Sequence, residues 1–213
     1  MHVDFGTGDG AFVRAVAASN PDTLAIGVDA NADALRETSR RLAAKPARGG
    51  LDNALVGRLA LADAPGELEG LADALTVLLP WGALLAAVAR PDGDALRSLR
   101  ALCKPNAEVR VVLGYGTATE RAAIRELGLP ALDAPGALAA LEDGYRAAGF
   151  GVRARVMSVD DVRALPTTWA KRLAFSGRER TFIELRGRTN SLVGEHVHAS
   201  GPAASATAPP HRV

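Results

Sequence analysis

Aromatic residues make up only 4% of this 213-residue chain, and tryptophan occurs twice. A core built mainly from Leu, Val and Ala has no routine need for indoles, so the positions of the two carry information. The single cysteine, Cys103, excludes an intramolecular disulfide and any multi-cysteine zinc site. It ends the apolar, helix-like stretch Leu96 to Cys103 and reads as a small buried hydrophobe. Although 48% of residues are hydrophobic, no run approaches the roughly 20 apolar residues of a membrane span. The opening Met-His-Val-Asp-Phe-Gly has neither the basic start nor the apolar middle of a secretory signal. A cytoplasmic protein without membrane association is therefore expected. An excess of one charge is also missing: 25 Lys and Arg face 24 Asp and Glu, for a net charge of +1. That balance argues against a general electrostatic binder of nucleic acid.

What is present is unevenly placed. From Met1 to Ala34 there are five acids and one arginine, whereas from Arg163 to Arg188 there are seven Lys or Arg and two Glu. A local basic patch of that kind holds phosphates even on a nearly neutral molecule. The length suits one domain with a sizeable core.

Alternation of short apolar runs with helical punctuation predicts an α/β protein. His2 to Phe5 reads as a strand, Gly6 to Gly10 as a tight turn, and Ala11 to Ser19 as a helix stopped by Asn20-Pro21-Asp22. Leu24 to Val28 is a second strand, and Asn31 caps a helix running to about Ala44. Two βα units in succession predict a parallel sheet. Further strands are expected at Leu55 to Leu61, Leu75 to Leu79, Val109 to Leu113, Val152 to Met157 and Thr181 to Leu185. Helices are expected at Ala83 to Ala89, Asp94 to Cys103 and Pro135 to Ala148. The outcome is a mostly parallel, seven-stranded sheet, with the segment around Trp169 forming short helices between the last two strands. From 189 to 213 the chain is rich in Ala, Ser, Pro and His and is expected to be a disordered tail. His196 and His198 within it lack a third metal ligand, so no metal site is expected.

The run Val3-Asp4-Phe5-Gly6-Thr7-Gly8-Asp9-Gly10 joins a strand to a helix through alternating glycines. Gly6 and Gly8 allow a sharp turn and a close approach of backbone to ligand. With Ala11 they also satisfy a dinucleotide fingerprint, and Asp29 at the end of the second strand is placed to accept both hydroxyls of a ribose. NAD and S-adenosylmethionine fit these features equally. Asp4 and Asp9 beside the turn repel a pyrophosphate but accommodate a sulfonium and an α-ammonium, which favours S-adenosylmethionine. Leu61-Ala62-Asp63, after the third strand, is placed to meet the adenine of that cofactor. No candidate histidine or Tyr-Lys pair for hydride transfer stands out.

Leu78-Leu79-Pro80-Trp81-Gly82 closes the fourth strand, where Rossmann-like methyltransferases carry a substrate-binding tetrad, usually Asn/Asp-Pro-Pro-Tyr/Phe in members that methylate amino groups. Here the side-chain amide is missing. Leu79 and Pro80 offer backbone carbonyls and Trp81 a π face. The second indole lies in Pro166-Thr167-Thr168-Trp169-Ala170-Lys171-Arg172-Leu173. Together with the glycine run and Gly27-Val28-Asp29, these segments resemble the 16S rRNA (adenine1408-N1)-methyltransferases, the kanamycin-apramycin resistance methyltransferases, in order and over about residues 3 to 188.

The resemblance implies a class I S-adenosylmethionine-dependent methyltransferase acting on 16S rRNA in the assembled 30S subunit, and resistance to aminoglycosides that bind the decoding site. It implies that Trp81 and Trp169 stack on a flipped adenine, where stacking is worth roughly 1–3 kcal/mol per base. Thr167 and Thr168 are then placed to hydrogen-bond cofactor or substrate, and Lys171, Arg172, Arg178 and Arg180 to grip rRNA phosphates. A monomer is expected. Family members carry an N-terminal extension with a β-hairpin before the glycine motif, whereas this sequence starts two residues before Val3, so a truncated first strand is expected. Two other readings remain: a methyltransferase for another rRNA base or a small aromatic substrate, and a silent homologue that only binds ligand or RNA.

Overall fold

The computed structural model describes residues 1–64, 66–91, 93–116, 120–176 and 178–190. The chain alternates strand and helix: β1 (His2–Phe5), α1 (Ala11–Ser19), β2 (Ala25–Asp29), α2 (Ala32–Leu42), β3 (Ala54–Arg58), β4 (Ala72–Leu78), α3 (Gly82–Ala89) and α4 (Gly93–Ala101). It continues with β5 (Cys103–Tyr115), α5 (Arg121–Leu127), α6 (Ala137–Ala147), β6 (Phe150–Val156), α7 (Val159–Arg163), α8 (Thr168–Ala174) and β7 (Thr181–Thr189). The seven strands form one sheet in the order β3-β2-β1-β4-β5-β7-β6. All neighbours are parallel except β7, which runs antiparallel to both β5 and β6. The four-residue β1 lies at the centre, between β2 and β4.

Local chemistry explains the helix boundaries. The Asn31 side chain accepts the Asp33 N–H at 3.1 Å, satisfying one of the free donors at the start of α2. Leu35, Thr38 and Leu42 then face inward at helical spacing, while Arg36 pairs with Asp33 and Arg41 with Glu37 on the solvent side. A reciprocal capping box between Ser158 and Asp161 starts α7, and the Thr167 hydroxyl accepts the Ala170 N–H at 2.9 Å to start α8.

Both faces of the sheet are covered. On one, Leu75, Val77, Val111 and Leu113 pack with Leu85, Val88, Leu96 and Tyr145 of α3, α4 and α6. On the other, Leu78, Val112 and Phe182 meet Phe12 of α1 and Val162, Ala170 and Leu173 of α7 and α8. The second cluster matters for function because it fixes α8: Ala170 and Leu173 are its anchored face, and Trp169 is left outside. Deeper along this face, the buried Glu184 accepts from Arg110 Nε at 2.7 Å and Arg155 Nε at 2.6 Å.

Several sequence expectations shift. Cys103 does not end a helix; α4 stops at Ala101 and Cys103 is the first residue of β5, buried as expected. β3 ends at Arg58, and Leu61–Asp63 is a short 3-10 helix. β7 extends to Thr189, whose hydroxyl donates to Lys104 O at 2.7 Å and accepts the Ala107 N–H at 2.9 Å, so residue 189 belongs to the sheet and not to a tail. The rest of the expected tail from 191 onward, including His196 and His198, lies outside the described residues. Helix α5 had no counterpart in the sequence reading. Among the described residues no helix is long and apolar enough to cross a membrane.

Leu185 is fully buried in the larger core cluster. Leu185→Ala is expected to cost about 2–5 kcal/mol, part transfer and part cavity. Urea unfolding reads this as a lower midpoint with an unchanged slope.

Candidate active site

The site begins where β1 ends. Gly6 has φ of +76°, and a Cβ there would come within 2.6 Å of Leu84 Cδ2, so the chain turns at this point only without a side chain. Three bonds then fix the turn. Gly8 N–H donates to Asp29 Oδ2 at 2.9 Å, Asn31 N–H donates to Asp29 Oδ1 at 2.8 Å, and the Thr38 hydroxyl donates to Asp9 O at 2.6 Å. Asp29 thus ties the glycine turn of β1 to the end of β2, and its remaining lone pairs are available to a ligand.

Above these strand ends is a cavity of about 770 Å³, of a size that takes a cofactor or a drug-sized molecule. It lies at the switch point between β1 and β4, where open α/β sheets bind ligands. The glycine turn, Asp29, Leu61 and Ala62 line one part of it, and Leu79, Pro80, Trp81, Thr167, Thr168 and Trp169 another. Four acids, Asp4, Asp9, Asp29 and Asp94, share the wall with one cation, Arg172. Such a wall suits a positively charged ligand and opposes a pyrophosphate. Asp4 is the most enclosed of them, at 2% exposure. Burial pushes its carboxyl up to about 6, against the pull of the Thr7 and Thr76 hydroxyls, and the charge of Asp29 adds to the rise.

At the far edge, β4 hands over to α3 through a strained residue. Leu79 has φ of +53°, a left-handed conformation that costs a non-glycine residue about 1–3 kcal/mol. It is held there by its N–H bond to Val112 O at 2.8 Å and by burial against Phe182 and its neighbours. Leu79 and Pro80 are buried, whereas Trp81 is 54% exposed and Trp169 is 43% exposed at the same cavity. Two large apolar side chains are thus left open around one concave site.

Most sequence-predicted site residues therefore converge on the cavity; Lys171 and Arg178 lie outside its lining, and Asp63 and Arg180 depart from their expected roles. Asp63 is exposed on its 3-10 turn and does not line the cavity, leaving Leu61 and Ala62 as the wall there. Arg180 is no phosphate grip: its side chain is 4% exposed and its Nε and Nη2 donate to Glu120 Oε1 at 3.2 and 2.8 Å, with Nη1 bonded to Ser176. Lys171, Arg172 and Arg178 are exposed, with no ion-pair partner among the described residues. The sequence reading missed Asp94 and Ser98 of α4 and Leu84 of α3 as lining residues. Only packing decides which faces of those two helices meet the cavity, so no local signal marked them.

A sheet of this strand order, with a glycine turn after β1, an acid at the end of β2 that grips that turn, and a ligand-sized cavity against the end of β4, is the arrangement of a class I Rossmann-like methyltransferase. The comparisons agree and narrow it. Residues 1–188 match the family model described as NpmA: 16S rRNA (adenine(1408)-N(1))-methyltransferase. The 16S rRNA (adenine(1408)-N(1))-methyltransferase of Escherichia coli is 34% identical over 195 residues, 89% of this chain and 87% of the relative; that of Streptoalloteichus hindustanus is 34% identical over 190 residues, covering 88% and 86%. Among solved structures, the 16S rRNA methyltransferase KamB superposes with a TM-score of 0.78 at 31% identity, covering 89% of this chain and 88% of that one. A tryptophan-to-alanine variant of the enzyme from Catenulisporales acidiphilia, solved with the cosubstrate SAM, gives 0.77 at 32% identity, with 90% and 86% covered. The chain belongs to the 16S rRNA (adenine(1408)-N(1))-methyltransferase family.

Because Arg180 and Glu120 are 4% and 12% exposed, removing one strands the other's charge. Arg180→Ala is expected to lower the unfolding free energy by about 3–5 kcal/mol. An unchanged urea midpoint with weakened RNA binding would return Arg180 to the RNA surface.

Proposed function

We propose that this chain transfers a methyl group from S-adenosylmethionine to N1 of adenine 1408 in 16S rRNA, within the 30S subunit, and so confers resistance to aminoglycosides that bind the decoding site. The observation that carries the reading is the pair of half-exposed indoles, Trp81 and Trp169, on the acid-lined cavity that also holds Asp4 and Asp29.

The lining residues fit the cofactor. Asp4 and Asp9 face its positive groups, Asp29 its ribose hydroxyls, and Leu61 and Ala62 its adenine, while Gly6 keeps the floor free of a side chain. S-adenosylmethionine, when bound, supplies an electrophilic methyl group. Adenine N1 carries a lone pair in the plane of the ring, so the protein needs no general base; it needs orientation. Trp81 and Trp169 hold the flipped base flat, and their π faces stabilise the positive charge the ring gains as the N–C bond forms and the C–S bond breaks. Leu79 and Pro80, fixed at the end of β4, present backbone carbonyls beside the base, and Thr167 and Thr168 line the same wall. Lys171, Arg172 and Arg178 hold rRNA phosphates; Lys171 and Arg172 share α8 with Trp169, so that docking and base capture occur on one helix, and Arg178 follows it. The protein acts in this reading as a monomer in the cytoplasm.

The test is methylation of purified 30S subunits, read as a primer-extension stop at adenine 1408. Trp81→Ala and Trp169→Ala are each expected to reduce methylation by about 5- to 150-fold, the equivalent of roughly 1–3 kcal/mol of lost stacking, while cofactor affinity measured by calorimetry stays within about threefold. Undiminished stops in both variants would sink the assignment of the indoles.

A further inference from the structure

Asp4 is supported from behind by a buried polar chain to which no part of the reaction has yet been assigned. The Thr76 hydroxyl donates to Asp4 Oδ1 at 2.5 Å, and His2 Nε2 lies 3.2 Å from the same hydroxyl. In the sheet, His2 and Asp4 sit two apart on β1 and therefore on one face, with Asp4 directly opposite Thr76 of β4. A hydroxyl has one proton. With that proton committed to the Asp4 carboxylate, Thr76 oxygen must accept from His2, which makes Nε2 the protonated nitrogen of a neutral imidazole. Burial holds the imidazole neutral, pushing it down to about 4, with the terminal amine also lowering it and Glu108 opposing. The chain His2–Thr76–Asp4 therefore points donors in one direction, toward the cavity acid.

We propose that Thr76, backed by His2, is a positioning residue for cofactor binding: it keeps the buried Asp4 carboxylate ionised and turned toward the positively charged end of the cofactor. The inference rests on the reading of the cavity as an S-adenosylmethionine site. The charged groups around Asp4 leave this task to hydroxyls, Thr7 in the turn and Thr76 on β4, of which Thr76 is the one held in line by a further buried partner. Asp29 at the end of β2 is a like charge that opposes ionisation; Asp9 in the turn and Asp94 of α4, the latter paired with Arg97, are further acids on the same wall and bring no positive charge to it. Arg172 of α8 lines the outer cavity and is exposed, and Arg110, opposite Thr76 on β5, is engaged by Glu184. Hydrogen bonding to the charged form is what remains to favour it.

The sign of the effect follows. A cation binds the ionised carboxylate, so affinity is full above the carboxyl's midpoint near 6 and falls as pH drops through it. Removing the Thr76 donor raises that midpoint. Thr76→Val keeps the side-chain shape, and Thr76→Ser keeps the donor. Calorimetry of the full chain with S-adenosylmethionine between pH 5.5 and 8.5 is expected to show the Thr76→Val profile displaced upward by about one unit. Affinity would then fall roughly eightfold at pH 5.5, about threefold near pH 6.5 and by almost nothing at pH 8.5. Thr76→Ser restores the wild-type profile, His2→Gln shifts it by less than Thr76→Val, and Asp4→Asn flattens it. Carbon-13 NMR titration of the Asp4 carboxyl in the ligand-free protein reads the same displacement without the cofactor. A Thr76→Val loss equal at every pH, or an Asp4 titration that does not move, overturns the proposal while leaving the cofactor reading intact. A wild-type protein that binds no S-adenosylmethionine at any pH overturns that reading and the binding role with it.

Discussion

One carboxylate organises the ligand-binding end of this molecule. The two oxygens of Asp29 take the N–H groups of Gly8 and Asn31, so the turn after β1 and the start of α2 share a single anchor. A glycine-rich turn has more backbone freedom than any other segment, and its folded shape must be imposed from outside. Asp29 and the Thr38 hydroxyl impose it, and the donors that would otherwise be free at the start of α2 are partly satisfied in the same act. The acid proposed to read a ribose is also the acid that builds the pocket floor. Its two duties use different lone pairs, so they do not compete.

Much of this architecture was legible because its causes are local. Asn31 with its following amphipathic run, Asn20-Pro21 after α1, and Thr167 before α8 announce helix ends through side-chain chemistry a few residues away. The glycine turn and both indole segments were legible for the same reason, and they do meet at one cavity. What was hidden depended on partners distant in sequence. The apolar character of Leu96 to Leu102 runs on into Cys103, and the strand start there is set by pairing with Ala72. Helix α5 fully buries no side chain and rests only Ile124 and Leu127 on the core, too short an apolar face to stand out as a period. Arg180 looked like one more cation in a basic run, yet Glu120, 60 positions earlier, claims it. The four acids of the cavity include Asp94 because α4 happens to turn that face inward.

The same separation explains how a nearly neutral protein offers a basic surface. Arg110, Arg155 and Arg180 are bound to Glu184 and Glu120 and serve the fold. Lys171, Arg172 and Arg178 stay on the surface around α8. Counting cations in the segment overstates its reach toward phosphate; burial decides which of them remain available. Acids inside the cavity and cations around α8 therefore present opposite charges to anything that approaches this end of the sheet.

Trp81 and Trp169 are the only tryptophans in the chain, and both stand half-exposed at the mouth of one cavity. The indole emission of the whole protein therefore originates from the place where a base would be held. With no tryptophan elsewhere to dilute it, the unmodified chain carries its own optical reporter of occupancy: a base laid against either ring changes the emission directly, and a ligand that fills only the floor beneath leaves the rings in water.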